Sequence, residues 1–105
     1  MQTVNVLGTE YEIKVDDTII SNGVDGLCKG YDKIINIRSM ENMLCPDDSD
    51  EIKEVRYKEV LRHELIHAFF EESGLDDYCR NEQLVDWIAM QFPKMVKAFK
   101  EVDCL

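Results

Sequence analysis

The stretch His63-Glu64-Leu65-Ile66-His67 constrains the fold more than any other part of the chain, and it uses both of the protein's histidines. On a helix, positions i and i+4 lie on one face, one turn apart, so this spacing predicts a helix that presents both imidazoles together. Two imidazoles placed that way can bind one Zn²⁺, each at roughly 2.0–2.1 Å. Glu64 directly follows the first histidine, so it projects beside the metal and can contact a water there without being a ligand. A rigid metal site needs a long, packed helix around this motif.

The flanking residues supply that helix. Cys45-Pro46-Asp47-Asp48-Ser49-Asp50 breaks the chain. Asp48 followed by Glu51 fits a capping box, and the acidic cluster suits a helix N-terminus. It lacks the glycine and spacing of a calcium-binding EF-hand loop. The helix is expected from about Asp50 to Ser73, stopped by Gly74, with Ile52, Val55, Leu61, Leu65, Ala68 and Phe69 as its apolar side. Asp76 or Asp77 can cap a second helix, from about Asp77 to Gln91, in which Leu84, Val85, Ile88, Ala89 and Phe92 recur at helical spacing. Pro93 is expected to end or kink it. Lys94 to Val102 then reads as a third helical piece with Met95, Val96 and Phe99 inward. Trp87 and Phe92 read as core, and Lys94, Lys97 and Lys100 as a solvated face.

Ahead of the helices, Val4 and Val6, then Tyr11, Ile13 and Val15, alternate with polar residues, and Gly8-Thr9 supplies a turn. This predicts strands over 2–7 and 10–15. Asn22-Gly23 and Asp25-Gly26 are turn signals. Leu27-Cys28, the Gly30-Tyr31-Asp32 turn and the β-branched run Ile34-Ile35-Asn36-Ile37 predict a second hairpin. Met40, Met43 and Leu44 read as core or a mobile cover. The expected fold class is α+β, with a small antiparallel sheet of two hairpins packed on the motif helix and one or two C-terminal helices. Residues 1–105 are expected to form one domain.

Composition narrows the function classes. With 22 Asp+Glu against 12 Lys+Arg, the net charge is −10. That field repels phosphate backbones and anionic lipid, so neither nucleic acid nor membrane is an expected partner. The N-terminus lacks the basic and long apolar regions of a signal peptide. A cytoplasmic protein is therefore expected, with Cys28, Cys45, Cys79 and Cys104 as reduced thiols.

Two histidines alone make a weak zinc site, because a catalytic zinc normally has three protein ligands and an open position. Asn81-Glu82-Gln83-Leu84-Val85-Asp86 offers the third. Gly74 lies between His67 and Glu82 to reverse the chain, so an antiparallel helix can bring Glu82 against the histidine face. Asp86 shares its face with Glu82. It can accept a hydrogen bond from the other ring nitrogen of a histidine, with His63 the favoured one, fixing the tautomer and strengthening the ligand.

His63-Glu64-x-x-His67 followed by Asn81-Glu82-x-x-x-Asp86 resembles the gluzincin metallopeptidases, the thermolysin-like group. The likeness covers roughly residues 60–90. It implies His63, His67 and Glu82 as zinc ligands, Glu64 as the catalytic base and Asp86 as the supporting aspartate. The interval between the motifs is shorter than in thermolysin-like enzymes, and no large second domain closes a cleft. In size and layout the chain is closer to the minimal zincins among ImmA/IrrE-like and phage or mobile-element proteins, which implies a zincin-like domain of bacterial or prophage origin.

The implied reaction is zinc-dependent hydrolysis of a peptide bond in a protein or peptide substrate, with Glu64 shuttling the proton. By the same resemblance, the substrate is expected to pair with Ile34 to Arg38 as an edge strand. Tyr78 and Tyr57 are the candidate oxyanion donors, being near the motif in sequence. Two other classes stay open. One is an inactive, metal-stabilised binding or regulatory module, whose sign would be a fourth protein ligand such as Cys79. The other is a hydrolase of non-peptide amides or esters. A partner protein that completes the cleft is compatible with so small a domain, and monomer and dimer are both open.

Overall fold

The computed structural model describes residues 2–105. Strands β1 (Gln2–Val6) and β2 (Thr9–Val15) form the first hairpin. Its turn residues are Leu7 and Gly8, one position earlier than expected, with φ of 51° and 92°. Positive φ at both positions gives a two-residue turn the twist that the flanking strands need. The Asn5 side chain accepts from the Gly8 N–H at 2.8 Å. Strands β3 (Gly26–Lys29) and β4 (Ile34–Ile37) form the second hairpin.

The α+β class and both hairpins are as expected, but the sheet is mixed rather than antiparallel. Its order is β1-β2-β4-β3, and β2 pairs with β4 in parallel, from Glu12↔Ile34 to Val15↔Ile37. The cause lies in β4. Ile35 and Ile37 have no exposed surface, and Asn36 between them is also buried. A nearly continuous apolar run belongs at the centre of a sheet, covered on both faces. The second hairpin therefore inserts β4, not β3, against β2. The 3₁₀ turn Asp17–Asn22 and β3 make the crossover. Ile34 to Arg38 is thus no edge strand: β4 is paired on both sides, and the edges are β1 and β3.

Helix α1 (Asp50–Glu72) packs across this sheet. Its cap is Ser49, whose hydroxyl accepts from the Ile52 N–H at 3.3 Å. Asp48, the expected cap, instead pairs with Arg56 at 3.0 Å. Gly74, at φ 70°, supplies the left-handed residue past the helix end. Tyr57, Val60, Leu61, Leu65 and the fully buried Ala68 pack against Val6, Tyr11, Ile13, Ile35, Ile37 and Met43. Packing onto this core begins at Tyr57, so Ile52 and Val55 are largely exposed, contrary to expectation. Met43 is core, while its neighbours Met40 and Leu44 are exposed. Glu72 ties the end of α1 to the sheet, accepting from Lys33 Nζ at 2.7 Å, Tyr11 Oη at 2.9 Å and Thr9 Oγ1 at 3.2 Å.

The helix expected from Asp77 is divided. A single turn, α2 (Asp76–Cys79), precedes α3 (Glu82–Glu101). The division falls at Asn81, whose side chain caps α3 by accepting from the Leu84 N–H at 3.0 Å. Contrary to expectation, α3 does not end at Pro93 but continues through it as one helix. A proline has no N–H for the carbonyl four residues earlier, here that of Ala89. Arg62 on α1 supplies the missing donor, its Nε reaching the Ala89 oxygen at 2.8 Å. Val85 and Ala89 are buried against the body of the protein. Trp87 and Phe92 are not core: they are 53% and 45% exposed, because α3 packs chiefly on α1 and only one stripe of it is covered. Lys94, Lys97 and Lys100 are exposed, and no helix among the described residues is long and apolar enough to cross a membrane.

Candidate metal centre

The motif sits in the C-terminal half of α1, and the Asn81 cap starts α3 so that Glu82 is its first residue. The two elements meet at the histidines. Glu82 Oε2 lies 3.0 Å from His63 Nε2, Glu82 Oε1 lies 3.0 Å from His67 Nε2, and the two Nε2 atoms are 3.1 Å apart. One ligand atom from each of the three residues falls within 4.8 Å of the others. A tetrahedral ion with ligands at roughly 2.0–2.1 Å needs edges of about 3.3 Å between them. Two imidazole nitrogens and one carboxylate at these spacings fit a divalent ion, so His63, His67 and Glu82 form a group that could hold a metal.

The far side of each ring is also occupied. His63 Nδ1 lies 2.7 Å from Asp86 Oδ1, as the i+4 spacing from Glu82 predicted. An Nδ1–H donated there leaves the Nε2 lone pair facing Glu82. His67 Nδ1 instead meets the Cys79 thiol, with Sγ at 3.7 Å, and the same sulfur lies 3.5 Å from the His67 carbonyl oxygen. Cys79 is therefore behind the ring, not a fourth ligand beside Glu82. Burial pushes His67 below the ordinary 6.5, towards the neutral ring that can ligate.

Glu64 stands apart from the metal-holding group. Its Oε2 is 3.9 Å from His63 Nε2, and the residue is 7% exposed. Burial pushes its carboxyl from 4.5 up to about 7; the His63 charge opposes this, and Glu82 and Asp86 add to it. β3 presses close here: a Cβ on Gly26 would come within 2.9 Å of Glu64 Cγ and of Val60. Glycine at that position lets the edge strand lie directly beside the carboxylate.

These residues open onto a cleft of about 800 Å³ between α1, β3 and the start of α3. Tyr57 and Tyr78 are not among its lining residues: Tyr57 packs towards the core, and Tyr78 lies beside Phe70, the rings tilted by 32° with centres 6.0 Å apart. Neither is placed to serve as an oxyanion donor. Sequence reasoning missed three participants in the cleft, Glu59, Glu71 and Cys79's place behind His67. The first two follow from continuing the four-residue step outward from the histidines. The four cysteines carry no disulfide. Compared with known proteins, the chain matches no family model, no curated protein and no solved structure.

Proposed function

We propose that the chain is a zinc-dependent peptide hydrolase of the minimal zincin type, with His63, His67 and Glu82 holding the ion and Glu64 as the base. The observation that carries this reading is Glu64. A buried carboxylate beside a metal-holding group, but outside it, has no purpose in a site that only joins two helices. Two imidazoles and one carboxylate are the donor set of a catalytic zinc, which leaves a position open. When bound, such an ion acidifies a water and polarises the scissile carbonyl.

The chain's own residues do the rest. Glu64 takes the proton from the attacking water and passes it to the leaving amine; a carboxyl raised towards neutrality can both accept and return a proton. Asp86 holds the His63 ring in the ligating tautomer. β3, as the unpaired edge beside Glu64, replaces Ile34 to Arg38 as the strand on which an extended substrate adds. Its free backbone groups fix the peptide, and the α1 side chains flank the bond to be cut. A phage or mobile-element role belongs to the same proposal and rests only on the likeness in size and layout to the minimal zincins.

Glu64→Gln tests this reading. Zinc content should be unchanged, while cleavage of a mixed peptide library falls by at least about a hundredfold, as expected for a lost general base. Equal cleavage by both proteins would remove Glu64 from the chemistry.

A further inference from the structure

We infer that the cleft takes a cationic extended peptide, with Glu59 and Glu71 reading basic side chains on either side of the bond to be cut. This rests on the peptidase reading and deepens it. Glu59, His63, His67 and Glu71 follow one another along α1 at four-residue steps, and all four line the cleft. Each glutamate stands one turn outside a histidine, about 6 Å along the helix axis.

Three of the other four carboxylates that line the cleft are engaged. Asp25 pairs with Arg38, Asp86 with His63, and Glu82 with both histidines. Elsewhere on α1, Glu54 pairs with Lys58 and Glu72 with Lys33. Glu59 and Glu71 have no Lys or Arg partner among the described residues, and Glu71 Oε2 meets the Cys79 thiol only at 4.0 Å. Among the described residues no Lys or Arg lines the cleft, against six carboxylates, so a divalent ion would offset only part of the charge. Glu64, also lining it, is more than nine-tenths buried and lacks a hydrogen-bond partner among the described residues. A buried polar group left open towards a cavity marks where a ligand completes its contacts.

The geometry also sets the spacing. Gly26 lies against Val60 and Glu64, and Gly30 against Glu71, so β3 and α1 run side by side in the same direction. A Cβ at Gly30 would come 2.6 Å from Glu71 Cδ, so glycine there makes room for the carboxylate along the cleft wall. Glu59 and Glu71 are about 18 Å apart along the helix. An extended peptide covers that distance in five to six residues at about 3.3 Å each. The basic side chains therefore belong two or three positions to either side of the scissile bond.

The test is calorimetric titration of zinc-loaded Glu64→Gln protein with three octapeptides carrying Arg, Ala or Glu at those two positions. The Arg peptide should bind about tenfold more tightly than the Ala peptide, and the Glu peptide most weakly, as charge-assisted contacts in a cleft predict. Adding Glu59→Gln and Glu71→Gln together should remove most of that preference. Each substitution alone should remove it at one end of the peptide. Equal binding of the Arg and Ala peptides, a preference that survives the double substitution, or no binding of any peptide would overturn the inference. The same peptides are then incubated with zinc-loaded protein that retains Glu64. Charge-selective binding without cleavage would overturn the peptidase reading and leave the cationic cleft standing. Cleavage with no charge preference would do the reverse.

Discussion

Glu64 and Glu82 flank the same pair of histidines, but the walls that carry them differ. Glu64 stands on the sheet side, where β3 is pressed against α1 and the residue is 7% exposed. Glu82 and Asp86 come from α3, with side chains 63% and 62% exposed. The sheet-side wall is continuous with the main core, so its carboxylate is largely buried. The α3 wall is a docked helix end, started by the Asn81 cap and held through the buried Val85 and Ala89. One wall buries a carboxylate, and the other completes a group that could hold a metal. Changes on the two sides should therefore be separable, with α3 governing metal affinity and the sheet governing the proposed base.

The largest effect is expected from the α3 wall. Glu82→Ala removes one of the three proposed ligands and should weaken zinc binding by more than about a hundredfold, beyond the loss typical of a supporting residue. Competition with a chromophoric chelator measures this. Retention at wild-type strength would mean that another side chain completes the group, and the contrast between the walls would fail.

A smaller effect compares the supports behind the two rings. Asp86→Ala, which removes the carboxylate 2.7 Å from His63 Nδ1, should cost about 10–100-fold in zinc affinity. Cys79→Ala, which removes a thiol at 3.7 Å from His67 Nδ1, should cost less than tenfold, because a thiol is a weak hydrogen-bond partner. Equal losses from both would show that the rings are held by packing rather than by these contacts.

The smallest effect is on the docking of α3 itself. Arg62→Met leaves the Ala89 carbonyl without a donor and should destabilise the fold by about 1–3 kcal/mol in urea unfolding. Pro93→Ala restores a backbone N–H four residues on, so the Arg62→Met cost should shrink in that background. An undiminished cost would mean that Arg62 acts through something other than that carbonyl.

Much of this arrangement was legible in the residues because it is local. The four-residue step from His63 to His67 and the same step from Glu82 to Asp86 define helix faces wherever the helices pack. The structure brings all four residues together. The hairpins were legible from alternation and turn residues for the same reason. What escaped depends on contacts between distant segments. The parallel pairing of β2 with β4 follows from burying Ile35 and Ile37 on a central strand, a competition that no single segment reveals. The passage of α3 through Pro93 depends on a donor from residue 62. Trp87 and Phe92 have the helical spacing of core residues, but only one side of α3 is covered. At the short scale, Ser49 rather than Asp48 caps α1 because Asp48 finds Arg56. Asn81 divides the expected second helix by capping the part that carries Glu82.

The decisive measurement is elemental analysis of purified, untagged protein after zinc loading, with wild type beside His67→Ala. About one zinc per chain, lost in the variant, is the expected result for an ion held by His63, His67 and Glu82. Wild-type protein that takes up no metal, or a variant that keeps it, would contradict the site and with it the proposed hydrolase.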